Sequence, residues 1–218
     1  MLKKLTDEKL EEILEAGISE FADHGFSGAG MGAIAARAGI SVGVLYKYYA
    51  DKEDFFLACV RKSLGELNRC LNEVTGTPDK LLHYADRLIA CAQQFARTHR
   101  DHIRMYHELT TSSGRVYAKR LAAEIESASA AVYTRFIEIA KQDGTVRRDL
   151  DPELFAFFFD NLLMMLHFSY GCDYYRERLA VYCGPEIFGQ DERVRRELLK
   201  FLESAFTLEQ SQITHREG

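Results

Sequence analysis

Apolar residues recur three or four positions apart along most of the chain, and polar residues occupy the positions between them. The first such stretch places Ile13, Leu14 and Ile18 on one face of a predicted helix. Thr6 stands where it can cap the start of this helix, and Gly25 stands where it can end it. Because no segment shows a convincing two-residue alternation of a half-buried strand, the predicted fold class is all-α.

The same spacing predicts helices through the middle of the chain. Asp51 can cap a long helix, which the segment TGTPD at 75–79 interrupts. Further helices are expected at about 79–97 and 101–111, followed by a longer one that Gly144 ends. The pattern therefore indicates a series of amphipathic helices separated by short turns.

Two clear signals mark the C-terminal third. Asp151 and Pro152 form a cap with proline at the first helical position, just ahead of an apolar run at 154–170. That run is interrupted by polar residues and is shorter than the ~20 residues of a membrane span, so we expect it to be buried in protein. Asp191 is predicted to cap a final helix. Four apolar residues of this helix have the spacing of a seam that packs on a partner helix: Val194, Leu198, Phe201 and Ala205.

Residues 31–48 have the pattern of a helix-turn-helix. Two short helical segments flank a turn at Ala38, Gly39 and Ile40, where the glycine can take a left-handed backbone. Ser41 can cap the second helix. The outward positions of that helix are Val42, Gly43, Tyr46 and Lys47. A short helix held in this way can enter the major groove of DNA.

The charge along this stretch favours contact with a polyanion. The whole chain carries a net charge of −5 and 33 acidic residues, yet residues 24–50 contain no Asp or Glu. Arg37, Lys47 and Lys52 supply positive charge around the helix-turn-helix. A surface that contacts phosphates must exclude carboxylates, which phosphates repel. The alternative is a tight helical corner whose tyrosines belong to a core.

The segment FADHGFSGAGMGAIAARAGISVGVLYKYYADKEDFF resembles the DNA-binding domain of the TetR family of bacterial transcriptional regulators. The matching residues are Phe21, Gly25, Phe26, Ile34, Ala35, Ala38, Gly39, Ser41, Leu45, Tyr46, Tyr49, Lys52 and Glu53. The resemblance implies a three-helix DNA-binding domain at 1–50 and a larger helical domain at 51–218 that binds an effector and dimerises. It also implies a homodimer that binds a palindromic operator in double-stranded DNA.

The resemblance assigns roles to individual side chains. Val42, Gly43, Val44 and Lys47 would face bases, while Tyr46, Tyr48 and Lys52 would approach phosphates. Because valine offers only apolar contacts, Lys47 is the expected polar reader of the operator. The complete set of residues predicted to contact DNA is Gly30, Met31, Arg37, Ser41, Val42, Gly43, Val44, Tyr46, Lys47, Tyr48 and Lys52.

One departure from the family pattern lies just before Met31. The family usually has Thr or Ser where this chain has Ala29 and Gly30. Those hydroxyls cap the first short helix and contact phosphate, whereas Gly30 can cap only through its backbone. We therefore expect a weaker affinity for the operator, or one that depends more on Tyr48 and Lys52.

The C-terminal region is rich in aromatic and sulfur-containing residues, as a soft apolar site for a small molecule would be. The predicted effector-binding residues are Tyr84, Phe95, Met105, Tyr106, His107, Tyr133, Phe136, Asn161, Met164, Met165 and Phe168. Three polar side chains on apolar faces, His107, Asn161 and His167, would need partners if buried. An effector and a neighbouring backbone carbonyl are the two alternatives, and the aromatic residues can equally form plain core.

Other chemistries have less support in the sequence. His99, His102 and His107 cluster, but no cysteine or carboxylate pattern completes a site, so no metal and no cofactor are predicted. The five scattered cysteines and the polar N-terminus favour a cytoplasmic protein without a membrane partner. We therefore predict a regulator rather than an enzyme: a repressor that a small, largely apolar molecule releases from its operator. An all-α enzyme using His102, His107 and Glu108, and a helical protein-interaction adaptor, are the alternatives.

Overall fold

A computed structural model of the protein describes residues 5–75, 80–110 and 118–207. Within these ranges the chain forms ten α-helices, one short 3-10 helix and no strand, which confirms the all-α class. The helices are α1 (Asp7–Gly28), α2 (Met31–Arg37), α3 (Val42–Tyr48), α4 (Lys52–Thr75), α5 (Leu81–Thr98), α6 (Arg100–Leu109), α7 (Ala118–Gln142), α8 (Pro152–Gly171), α9 (Asp173–Cys183) and α10 (Asp191–Thr207). The 3-10 helix, Pro185–Gly189, precedes α10. The predicted break at 75–79 lies almost entirely outside the described residues.

The chain divides into two compact units. The first comprises Met1–Asn68 and His99–Leu121, and contains α1 to α3, most of α4, and α6. The second comprises Arg69–Thr98 and Ala122–Gly218, and contains α5, most of α7, and α8 to α10. The first unit therefore includes residues 1–50, for which DNA binding was predicted.

A polar cap fixes the start of α1, and a glycine kinks its end. The Thr6 hydroxyl accepts a hydrogen bond from Lys9 N at 3.2 Å, as the sequence predicted. Gly25 has a left-handed φ of 65°, yet α1 continues beyond it to Gly28. The predicted end at Gly25 is therefore too early, because the Ala29 amide still donates to the Gly25 carbonyl at 3.1 Å.

An aromatic cluster forms the core of the first unit. Phe21 packs edge-on against Phe56 with ring centroids 5.0 Å apart, and Phe26 contacts the Phe56 ring at 5.1 Å. Phe55 lies so close to Gly17 that a Cβ on this glycine would come within 2.5 Å of the phenylalanine ring. α1 and α4 therefore approach each other across a position where a side chain has no room.

The predicted start of α8 is confirmed. Asp151 accepts hydrogen bonds from Glu153 N at 3.0 Å and from Leu154 N at 3.1 Å, and Pro152 is the first helical residue. By length and composition alone α8 could span a membrane, but the core helix of a soluble protein can have the same length and composition. Of an 18-residue apolar stretch of this helix, 44% is buried inside the protein.

The end of α8 was not predicted. The helix stops at Gly171, and the extended residue Cys172 separates it from α9. A glycine followed two residues later by Asp173, in the first turn of α9, is the sequence signal that could have located this break.

A polar network joins α5, α8 and the start of α10. The buried Gln93 amide donates to Tyr170 Oη at 3.1 Å and to Asp191 O at 3.0 Å. Tyr170 Oη donates in turn to the Asp191 carboxylate at 2.8 Å, and Arg97 donates to its other oxygen at 2.9 Å. Asp191 was predicted to cap α10 from the position before the helix. It is instead the first residue of α10, and its carboxylate is held by Tyr170 and Arg97.

The cysteines with described side chains are not all thiols. Cys59, Cys172 and Cys183 are free, and burial raises the pKa of the Cys59 thiol well above its usual value. Cys91 is disulfide-bonded. The number and scattered spacing of the cysteines favoured a reducing compartment over a disulfide framework. The disulfide at Cys91 was therefore not predicted.

Candidate nucleic-acid interface and effector crevice

The turn after α2 requires a left-handed glycine. The Gly39 amide donates to Ala36 O at 3.1 Å and the Ile40 amide to Ala35 O at 2.9 Å, which are the paired bonds of a Schellman motif. Gly39 has a φ of 64°, where any side chain would be strained. This turn sets the direction in which α3 leaves α2, as the sequence predicted.

α3 is fixed on one side and open on the other. The Ser41 hydroxyl accepts a hydrogen bond from Val44 N at 3.3 Å, and Leu45 is fully buried beneath the helix. The exposed residues of the helix include Val42, Gly43, Tyr46 and Lys47, the four that were predicted to point outward. Val44 is half-buried beside them. α3 therefore presents a face with two large apolar side chains and one ammonium group.

Tyr48 and Lys52, which were predicted to approach phosphates, also make contacts within the first unit. Tyr48 Oη accepts a hydrogen bond from Leu5 N at 2.7 Å, which ties the residue before Thr6 to the end of α3. The Lys52 ammonium donates to Ser27 O at 3.3 Å and lies 5.2 Å from the centre of the Phe26 ring. Each side chain can still donate a hydrogen bond to a further acceptor. The Tyr48 hydroxyl acts only as an acceptor in its bond to Leu5, and the Lys52 ammonium has three N–H donors.

The start of α2 contains a contact that sequence analysis missed. Glu20 on α1 is 6% exposed and accepts a hydrogen bond from Gly30 N at 3.2 Å. Gly30 has a φ of −113°, and a Cβ there would meet nothing closer than Ala33 at 3.8 Å. Met31, which was predicted to contact DNA, is buried, whereas Arg37 is exposed at the other end of α2. Neither backbone conformation nor space therefore demands glycine at position 30.

α6 lies in the first unit and is bonded to α1 through side chains. His102 Nε2 is 3.0 Å from a Glu15 carboxylate oxygen, and Glu108 accepts a hydrogen bond from Phe26 N at 3.2 Å. Partial burial lowers the pKa of His107 on the same helix. His102, His107 and Glu108 are the residues that an all-α enzyme was suggested to use. In the structure, His102 and Glu108 connect α6 to α1. Within the described ranges, no three His, Cys, Asp or Glu side chains are grouped to hold a metal ion.

The second unit contains a narrow crevice with apolar walls. Its lining residues are Leu81, Tyr84, Ala85, Tyr133, Phe136, Ile137, Phe159 and Phe206. The free volume is about 10 Å³, roughly enough for a single water molecule. Sites for drug-sized ligands occupy about 300–1,000 Å³. The Tyr84 and Phe136 rings stack with their centroids 4.1 Å apart, so any effector must open the crevice before it can bind there.

The predicted effector residues are distributed over both units. Tyr84, Tyr133 and Phe136 come together in the crevice. The second unit also holds, outside the crevice walls, Phe95, Asn161, Met164, Met165 and Phe168. Met105, Tyr106 and His107 lie on α6 in the first unit. The Asn161 amide donates to Phe157 O at 2.7 Å within α8, so a backbone carbonyl satisfies this polar side chain.

Burial shifts the pKa of two titratable groups of α8. His167 is buried, its Nε2 has no hydrogen-bond partner in the described ranges, and burial lowers its pKa to about 4. Its ring packs edge-on against Phe95 with centroids 6.4 Å apart. Burial, with a smaller contribution from the Glu126 charge, raises the pKa of Asp160 to about 6. Both groups resist ionisation in the folded protein.

Large apolar side chains are exposed on α8 and α10. On α8 Leu154, Phe157 and Phe158 are 53%, 59% and 55% exposed, and on α10 Phe201 is 60% exposed. Phe157 and Phe158 follow Leu154 by three and four positions, so both lie on the same side of the helix as Leu154. Val194, Leu198 and Ala205 of the predicted seam are half-buried on α10. Clustered exposed aromatic residues are typical of surfaces that another protein covers.

The helix-turn-helix matches a known family model. The model described as "Bacterial regulatory proteins, tetR family" matches residues 13–59, which run from α1 into α4. Residues 13–59 are therefore similar to the DNA-binding region of the TetR family. The relatives that the chain matches are named as transcriptional regulators, in agreement with the resemblance in the sequence.

Relatives of this chain include both an activator and a repressor. It is 28% identical over 141 residues to the HTH-type transcriptional activator FasR of Mycolicibacterium smegmatis, covering 63% of this chain and 61% of FasR. It is 35% identical over 77 residues to the HTH-type transcriptional repressor SCO4008 of Streptomyces coelicolor, covering 35% and 38% of the two chains. The matches thus span less than two thirds of either relative. The structure of FadR from Bacillus subtilis in complex with stearoyl-CoA has the same fold, with a TM-score of 0.69 at 16% identity over 87% of this chain and 97% of FadR.

Proposed function

We propose that the protein binds a palindromic operator in double-stranded DNA as a homodimer, with α3 in the major groove. The exposed face of α3 carries this proposal, because Leu45 locks the opposite face of the helix into the first unit. The major groove is about 12 Å wide and admits such a helix. Val42 and Val44 can pack on thymine methyl groups, while the Lys47 ammonium can donate to guanine acceptors.

Residues around α3 are proposed to bind phosphates. Tyr46 and Arg37 are exposed, and both Tyr48 and Lys52 retain unused donors. Residues 24–50 carry no carboxylate that would repel the DNA backbone. These contacts would set the affinity and orientation of the complex, while the α3 face selects the sequence.

The second unit is proposed to bind a small, largely apolar effector at the crevice. The crevice walls expose only apolar surface, so a ligand gains most there from its own apolar part. The complex of FadR with stearoyl-CoA supports a molecule with a long acyl chain. Binding must separate the stacked Tyr84 and Phe136 rings, which belong to α5 and α7.

We assign DNA binding to residues 1–50 and both dimerisation and effector binding to residues 51–218. The exposed apolar faces of α8 and α10 would pack against the same faces of a second copy. Half-sites one helical turn apart lie about 34 Å from each other, so a change in the spacing of the two α3 helices weakens operator binding. The protein is thereby a cytoplasmic repressor that its effector releases from DNA.

Selection of bound sequences from a random DNA pool tests this function. The wild-type protein should enrich a motif with two-fold symmetry, and a library of acyl compounds should contain members that release it. Gly43→Glu is the matched control, because position 43 is exposed and has room for a side chain, with Ser41 Oγ 4.0 Å away as the nearest atom. This variant should fold and enrich no motif. Failure of the wild type to enrich any sequence would contradict DNA binding, and an asymmetric motif would contradict a palindromic operator.

A protein-interaction adaptor is the second candidate, favoured by the 46% exposure of Tyr46 on α3. Salt dependence separates the two functions. Phosphate contacts make the logarithm of affinity fall steeply with the logarithm of salt concentration, whereas an apolar protein interface responds weakly.

A further inference from the structure

Tyr84, a wall residue of the crevice, has a buried hydroxyl without a hydrogen-bond partner in the described part of the chain. Tyr84 on α5 is 1% exposed, and no acceptor or donor in the described part of the chain reaches its Oη. Burial raises the pKa of this phenol above its ordinary value, so the group keeps its proton and remains a donor. Buried hydroxyls are nearly always paired in native proteins, so an unpaired one requires an explanation.

Tyr170 shows how the same unit satisfies a buried tyrosine. Its Oη donates to the Asp191 carboxylate at 2.8 Å and accepts from the Gln93 amide at 3.1 Å. At Tyr84, by contrast, phenylalanine would stack on Phe136 equally well and would leave no polar atom unpaired. The Tyr84 hydroxyl therefore lowers the stability of the closed crevice.

The surroundings of Tyr84 restrict what can pair with it. The other wall residues are Leu81, Ala85, Tyr133, Phe136, Ile137, Phe159 and Phe206, none of which carries a formal charge. The positive charge of Arg87 acts on the pKa of Tyr84 more weakly than burial does, and Arg87 is not a wall residue. An ionised carboxylate or phosphate in the crevice would therefore lose its hydration without a counter-charge in the walls. An uncharged carbonyl oxygen has a far smaller desolvation cost and can accept the phenolic proton.

We propose that Tyr84 determines effector specificity by donating a hydrogen bond to an uncharged acyl or ketone oxygen of an otherwise apolar molecule. This inference rests on the proposed effector role of the crevice. When the Tyr84 ring separates from Phe136, its hydroxyl gains the acceptor that the closed crevice lacks. The destabilisation of the closed state by the unpaired hydroxyl thereby favours the effector-bound state.

The test compares two probes that differ only at one carbon. Octanophenone carries a carbonyl where octylbenzene carries a methylene group. Dissociation constants of both are measured for the wild type and for Tyr84→Phe by titration calorimetry. The preference for the ketone, expressed as the ratio of the two constants, should be about five- to tenfold greater in the wild type than in Tyr84→Phe, the effect of one net hydrogen bond.

Tyr170→Phe is the matched control, because it removes a hydroxyl that has two partners in the same unit. It should lower the melting temperature and leave the ketone preference unchanged, whereas Tyr84→Phe should leave the melting temperature unchanged or raise it. An equal ketone preference in the wild type and Tyr84→Phe, or a lower melting temperature for Tyr84→Phe, would overturn the role of Tyr84. If neither probe binds the wild type, the effector role of the crevice itself is overturned, while the DNA selection still tests operator binding.

Discussion

The Gly30 amide donates a hydrogen bond of 3.2 Å to the buried carboxylate of Glu20, which joins the inner face of α1 to the residue before α2. Glu20→Ala should lower the free energy of unfolding by about 1–2 kcal/mol, because the amide loses its acceptor. Glu20→Gln keeps an acceptor and should lower it by less. Urea unfolding measures both variants. Equal stability of Glu20→Ala and the wild type would show that this bond contributes nothing.

Gly30→Ser should tighten operator binding several-fold without changing the selected sequence. The φ of −113° suits any residue, and the nearest neighbour of a Cβ is Ala33 at 3.8 Å. The serine hydroxyl could donate to a phosphate, a net gain of about 1 kcal/mol. Gly30→Ala, with a Cβ but no hydroxyl, is the control in fluorescence anisotropy titrations. Tight binding by a folded Gly30→Glu dimer would contradict the placement of α2 against the DNA backbone.

Lys47→Ala should change which sequences are selected, because the exposed Lys47 ammonium is proposed to contact base edges. Lys52→Ala should instead weaken binding to all sequences about equally and reduce the salt slope by about one. Since Lys52 also donates to Ser27 O and lies over Phe26, its loss should lower the melting temperature slightly. Selection experiments and salt titrations distinguish the two residues. Identical motifs for the wild type and Lys47→Ala would remove Lys47 from sequence reading.

Phe157→Asp on α8, and Leu198→Asp or Phe201→Asp on α10, should each produce monomers with poor operator affinity. A charge on these exposed apolar faces would be buried without a partner in the dimer. Val181→Asp on α9 is the control, because Val181 is 84% exposed and lies outside the proposed interface. Sedimentation equilibrium reports the oligomeric state. Intact dimers in all three interface variants would place the interface elsewhere.

Acid should destabilise the protein through His167. Its pKa is about 4 in the folded protein and 6.5 ordinarily, so the unfolded chain binds the proton first as the pH falls. The resulting loss of unfolding free energy should be ~3 kcal/mol, spread between pH 6.5 and about 4. Urea unfolding at pH 7.5, 5.5 and 4 should therefore show a flatter acid dependence for His167→Phe than for the wild type.

Asp160 has the opposite effect in the same pH range. Its pKa of about 6 in the folded protein exceeds its ordinary 3.8, so the folded state takes up the proton first and gains stability as the pH falls. Asp160→Asn should accordingly be more stable at pH 7.5 and should lose stability more steeply in acid than the wild type. A variant with the wild-type pH dependence would show that Asp160 is well solvated.

Helix starts were predictable because the capping side chain acts on a backbone amide two or three residues away. Thr6, Ser41 and Asp151 all cap the helices for which they were predicted. Asp191 has the same local signal, but its carboxylate is held by Arg97, which lies far away in the sequence. Tertiary contacts of this kind leave no local pattern, which is also why the hydrogen bond from Gly30 to Glu20 was missed.

The two candidate sites differ in how far the sequence determined them. The outward face of α3 follows from helical periodicity once Leu45 is placed in the core. The crevice does not, because a residue that lines a closed apolar site has the same chemistry as one in the core. Tyr84, Tyr133 and Phe136 line the crevice and their predicted contact with an effector stays a prediction, while Phe159 and Phe206 were not distinguished from the core.

The hydrogen bond from Leu5 N to Tyr48 Oη has a practical consequence for work with the purified protein. A truncated variant that starts after Leu5 would lack the amide that holds Tyr48 at the end of α3. Its Tyr48 side chain would then be free to turn, which would alter the proposed phosphate contact without any change in α3 itself. Affinity measurements should therefore use protein that keeps Leu5.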